Sequence, residues 1–77
     1  MKSLHKPFDI LEYVVLQNGQ SVTPSEAAAA LGVNLVTCTR IMGELTDRGY
    51  LVKISRKDGY AAGPMVISLR TRDNVYR

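Results

Sequence analysis

Between Val36 and Arg40 the chain reads Val-Thr-Cys-Thr-Arg, the stretch whose side chains are best suited to grip a ligand. Arg40 offers a planar fork of donors that matches the O6 and N7 edge of guanine, or the oxygens of a phosphate. Thr37 and Thr39 offer hydroxyls to bases or phosphates. Val36 has no polar side-chain atom, so its contact would be apolar, most naturally with a thymine methyl. Upstream, Thr23 and Ser25 place two hydroxyls where a helix would begin, and a phosphate can be met there. Downstream, Arg56-Lys57 sets two cations before Asp58-Gly59, a position from which they reach a phosphate backbone or a minor groove. This is chemistry of recognition. One His, one Cys, no glycine-rich phosphate loop after a strand and no carboxylate pair over a cleft leave no constellation for an enzyme. They also suggest no metal site and no cofactor. His5 stands alone in the N-terminal segment, and Cys38 reads as a small core residue.

The elements that must position these residues are punctuated clearly. A first helix is expected from Pro7, with Phe8, Leu11, Val14 and Val15 as its buried face and Asp9 and Glu12 in solvent. Asn18-Gly19 should end it, Gly19 taking a left-handed conformation. Thr23-Pro24-Ser25-Glu26 is a capping box with proline at the first helical position, and Gly32 closes the short alanine-rich helix that follows. Asn34 caps the next helix, which runs toward Gly49 with Arg48 near its C-terminal end. At ~100° per residue, Cys38, Ile41, Met42 and Leu45 fall on one face of that helix. Val36, Arg40, Gly43 and Asp47 lie opposite, with Thr37 and Thr39 on the flanks. Leu35 is expected to pack under the turn. Two helices joined by a tight Gly-Val-Asn corner form a helix-turn-helix.

YLVKIS and Tyr60-Ala61-Ala62 then flank Arg56-Lys57-Asp58-Gly59, a hairpin signal that puts the two cations at its tip. Tyr60 should support the hairpin from inside. MVISL is expected to form a final helical turn or two, and RTRDNVYR a polar, frayed tail. Helix, helix-turn-helix and hairpin make a winged helix: mainly α, a three-helix core plus a two-stranded wing.

The totals suit that reading. Seventy-seven residues make one domain; 45% apolar and 22% charged side chains are ordinary for a globular protein. There is no apolar run of ~18 residues and no signal-peptide core near the N-terminus, which points to a cytoplasmic protein. The net charge of +3 divides unevenly, −2 over residues 1–47 and +5 over residues 48–77. A polyanion would be met mainly by the C-terminal third, together with Arg40.

SLHKPFDILEYV, TPSEAAAALGV, TCTRIMGELTDRGYLVK and the wing end DGYAAGP together resemble the N-terminal DNA-binding domain of IclR-type transcriptional regulators, over residues 3–69. Thr37 and Arg40 sit on a Thr and an Arg typical of that family's recognition helix. Leu35 and Val36 stand where the family often has a basic residue and a serine, and Ala62 replaces the leucine of its Leu-Gly-Pro. The resemblance implies dimerisation involving the first helix and its neighbours. It also implies a large effector-binding domain, which these 77 residues do not include, so any small-molecule effector would bind elsewhere. The expectation is therefore a DNA-binding domain over residues 1–69, followed by a polar tail or the start of a linker over 70–77. It would bind a pseudo-palindromic operator in double-stranded DNA as a homodimer, weakly held in the isolated chain, in the bacterial or archaeal cytoplasm and at the nucleoid when bound. Membrane contact is not expected. The candidate contacts are Thr23, Ser25, Val36, Thr37, Thr39, Arg40, Arg56 and Lys57. The alternative is a winged helix used as a protein-interaction module, suggested by Leu35, Val36 and the weak charge of the third helix.

Overall fold

The cap signals act where the sequence puts them. In the computed structural model, which describes residues 6–17 and 19–66, Thr23 Oγ1 accepts from the Glu26 N–H at 3.1 Å. The Glu26 carboxylate accepts in return from the Thr23 N–H at 2.9 Å. With Pro24 at its first position, this capping box opens α2, Pro24–Leu31, and Gly32 closes it at φ 68°. Helix α1 is Lys6–Val15 and α3 is Leu35–Asp47. Asn34 caps α3, its side-chain oxygen accepting from the N–H groups of Val36 at 2.8 Å and Thr37 at 3.2 Å. Two donors that a helix start leaves unpaired are thereby satisfied.

Strands β1, Leu51–Ser55, and β2, Gly59–Ala62, pair antiparallel, Leu51 opposite Ala62 and Lys53 opposite Tyr60. A register shift between Lys53 and Ser55 bulges the first strand just before the turn. The turn itself is Arg56-Lys57-Asp58, fixed by the Asp58 N–H donating to Ser55 Oγ at 2.9 Å. Val22 adds a one-residue bridge on the other side of β2, exchanging two backbone hydrogen bonds with Tyr60, each 2.7 Å. The wing is thus fastened to the segment that leads into α2.

The core lies between the three helices and the base of the wing. It gathers Ile10 and Val14 from α1, Ala27 and Ala28 from α2, Cys38, Ile41, Met42 and Leu45 from α3, and Leu51 and Tyr60 from the wing. The alanines let α2 and α3 approach closely, and Tyr60 braces the wing from inside as expected. Burial pushes the Cys38 thiol above its ordinary pKa, favouring the neutral form.

Two expectations are corrected. The buried stripe of α1 is Ile10 and Val14, whereas Phe8 is 71% exposed and Val15 only half-buried. Phe8, Ile10, Leu11, Val14, Val15 and Leu16 crowd residues 8–16, and at ~100° per residue the first five spread over one unbroken arc of about 160°. Packing against α3 and β2 buries the edge of that arc that holds Ile10 and Val14, with Leu11 partly buried beside it. Leu35, expected under the turn, is 49% exposed. Val33 packs against the core instead, drawn inward as its N–H donates to Ala28 O at 3.0 Å. The expectations for His5, Asn18, residues 67–69 and the 70–77 tail, and both outer limits of the expected domain, lie outside the described residues.

Candidate nucleic-acid interface

The front of α3 is built by Asn34. Its two hydrogen bonds fix the first turn, so the side chains of residues 35–40 leave the helix in directions set by the backbone. Cys38 points into the core, and Val36 and Arg40, one turn apart, face away from it. Val36 is 76% exposed, the most exposed large hydrophobic side chain among the described residues. Thr37 is half-buried on the flank. Thr39 is exposed, but its hydroxyl donates to Leu35 O at 2.9 Å. The hydroxyl proton is therefore used within the helix, and what Thr39 shows to the outside is a methyl group and an acceptor oxygen.

Arg40 reaches Glu44 across one helical turn, Nη1 to Oε2 at 3.4 Å, with both side chains 60% exposed. A pair this long and this wet is worth ~0.3–0.5 kcal/mol, so the guanidinium is readily recruited elsewhere. Beyond it, a Cβ built on Gly43 would meet no atom within 4 Å, which leaves that part of the face open.

The second cluster joins the head of α2 to the wing. Ser25 is exposed, while the Thr23 hydroxyl is taken up by the cap. Gly59 follows the turn at φ 93°, and a Cβ there would stand 2.7 Å from Thr23 Cα. Only glycine allows that approach. The structure thus brings Thr23 beside Gly59, the residue that follows the turn carrying Arg56 and Lys57, a proximity their sequence separation does not suggest. Arg56 and Lys57 are both exposed, as is Lys53 on β1, so residues 51–62 show three cations against the single carboxylate of Asp58. No hydrogen bond or ion pair among the described residues links Arg40 to the wing cations. Lys53 was not singled out from the sequence because it sits inside a strand, where its exposure depends on how far the wing projects beyond the core. No group of three or more His, Cys, Asp or Glu side chains among the described residues could hold a metal ion. None of the described helices is long and apolar enough to cross a membrane.

No family model and no curated protein matches the sequence. Solved structures do. Thermotoga maritima IclR superposes with a TM-score of 0.71 at 26% identity over 86% of this chain. An IclR transcriptional regulator from Alicyclobacillus acidocaldarius does so with 0.70 at 25% identity over 88%. The domain is IclR-like. The same fold recurs in Pseudomonas aeruginosa HmgR, at 18% identity and a TM-score of 0.77 over 94% of the chain. The IclR-like domain spans 29% of HmgR, 26% of the Thermotoga protein and 29% of the Alicyclobacillus protein.

Proposed function

We propose that this chain is the DNA-binding domain of a transcriptional regulator, that it binds double-stranded DNA sequence-specifically, and that it acts from the cytoplasm. Helix α3 enters the major groove, and the wing lies on the adjacent backbone. The observation that carries this reading is the outward face of α3: Val36, Thr37, Thr39 and Arg40 on a capped helix with few charges of its own. A major groove ~12 Å wide admits a helix of this kind, and its base edges present acceptors, donors and methyl groups that those four side chains complement. The wing cations fastened beside α2 supply the phosphate contacts that such a helix lacks, with Ser25 and the head of α2 as a further phosphate contact. The likeness to an IclR transcriptional regulator supports a regulatory role.

Two copies would act on a pseudo-palindromic operator. A groove of roughly 500 Å³ between α1 and α3, lined in part by Pro7, Leu11, Leu45 and Tyr50, is the surface that α1 would offer to a second copy. The second reading, a protein-interaction module, draws on the exposure of Leu35 and Val36, and salt separates the two. Affinity for duplex DNA should fall steeply as salt rises, because each neutralised phosphate releases counterions. Replacing both Arg56 and Lys57 by alanine should weaken binding to all sequences alike and lower the log–log salt slope by about 1–2. A slope equal to that of the native chain would take the wing off the DNA. Affinity for DNA that is unmeasurable even at low salt would favour the protein partner.

A further inference from the structure

We propose that the front of α3 reads pyrimidine 5-methyl groups, with Val36 as the reading residue and Arg40 fixing a neighbouring guanine. The inference rests on the DNA-binding reading above and specifies the bases. Its basis is the chemistry left on the helix surface. Leu35 and Val36 are 49% and 76% exposed, side by side at the start of α3. Thr39, one turn on, spends its hydroxyl proton on Leu35 O. The three positions therefore form a ridge whose outward atoms are methyl and methylene groups plus one acceptor oxygen, with no donor. Arg40 is the cation on this face of the helix.

A ridge without donors gains nothing from the acceptor edges of guanine or from adenine N7. The group in the major groove that it complements is the C5 methyl of thymine, which is also present on 5-methylcytosine. Val36 suits this task because its branched side chain has one strongly preferred rotamer in a helix, so little freedom is lost on contact. The residue is backbone-fixed as well, its N–H held by Asn34 at 2.8 Å. Arg40 lies four positions further on, ~6 Å along the helix axis at ~1.5 Å per residue. With base steps of ~3.4 Å, the guanine it reaches lies about one or two steps from the methylated pyrimidine. The exposed cations of Lys53, Arg56 and Lys57 on the wing of the same domain make a polyanion the fitting occupant of this apolar ridge, since an apolar protein partner would leave their charge unmatched.

The first arm of the test changes only the DNA, so it cannot be confounded by a misfolded variant. The full 77-residue chain is used to select duplexes from a random pool at low salt. In the recovered half-site, each thymine is then replaced singly by deoxyuridine, which removes the methyl and nothing else. One position, within two steps of a guanine, should lose affinity about fourfold, the effect of one buried methyl group. At that position a C·G pair should bind weakly, and 5-methylcytosine should recover about the same factor over it. In Val36→Ala both methyl effects should shrink toward onefold, while Val36→Ile preserves them. The inference is overturned if a motif is recovered in which deoxyuridine is silent at every position, if the motif holds no thymine, or if the methyl effects persist unchanged in Val36→Ala. Absence of binding to any duplex would overturn the DNA-binding reading itself, and that result is distinct from each of the others.

Discussion

At the scale of single residues, the outward face of α3 is defined as much by what is already committed as by what is free. The Thr39 hydroxyl proton and the Val36 and Thr37 N–H groups are bonded within the helix and its cap. Among the described residues, the Arg40 side chain is held only by an exposed pair with Glu44. Replacing Arg40 by alanine should therefore leave the unfolding midpoint nearly unchanged, since such a pair contributes ~0.3–0.5 kcal/mol. On a selected duplex the same change should cost ~1–3 kcal/mol and relax preference at one base pair, if the guanidinium reads a guanine. Titrating Arg40→Ala against the selected site and its single-base variants checks this. An unchanged order of preference would remove Arg40 from base reading, whatever the loss of overall affinity. Val36 was legible in the sequence as an outward residue because Cys38, Ile41, Met42 and Leu45 fix the opposite face without ambiguity. Leu35 was not, because it sits at the first position of α3, where burial depends on which residue of the corner turns inward. Val33 does.

At the scale of elements, the wing owes its position to one glycine. Gly59 combines φ 93° with a neighbouring strand so close that an added Cβ would collide with Val22 and Thr23. Gly59→Ala should thus incur both left-handed strain and a backbone clash, at least ~2 kcal/mol in all. It should loosen the wing from α2 while the three-helix core stays folded. Chemical denaturation measures the first effect, and hydrogen exchange at the Val22 and Tyr60 amides measures the second. Full native stability in Gly59→Ala would show that the segment relaxes at little cost and that the wing is not locked.

Asp58-Gly59 announced the hairpin, and Thr23-Pro24-Ser25-Glu26 announced α2, because caps and turns are written in residues adjacent in sequence. The contact between them was hidden, since it joins residues 22–23 to residues 59–60 through a two-bond bridge that leaves no local pattern. The buried face of α1 was misjudged for a related reason. A broad apolar arc on a ten-residue helix does not say which part of it the rest of the fold will cover. Ile10 and Val14 are decided by α3 and β2, not by α1 itself.

At the scale of the whole molecule, one domain presents one helix-turn-helix and one wing. The principal extents of 38 × 31 × 20 Å allow two copies to sit side by side on half-sites one helical turn apart, ~34 Å centre to centre. A single module of this size would bury little surface on DNA and meet few base pairs, so on the proposed reading much of the specificity would come from pairing. The chain spans less than a third of the solved proteins it resembles, so the apposition of two copies need not be supplied by these residues alone. Two copies joined by a flexible linker long enough to span ~34 Å should therefore bind a palindromic duplex ~10²-fold or more tightly than the single chain does. On a duplex with one half-site the gain should be no more than about twofold, the statistical factor for two equivalent modules. Moving the half-sites apart by five base pairs, half a helical turn, should erase much of the advantage, because the second copy would then face the wrong side of the duplex. Fluorescence anisotropy on the three duplexes reads all of this in one series. Equal affinity of the linked pair for full and half-sites would mean that the domain reads DNA as a single unit, and the pseudo-palindromic operator would have to be given up.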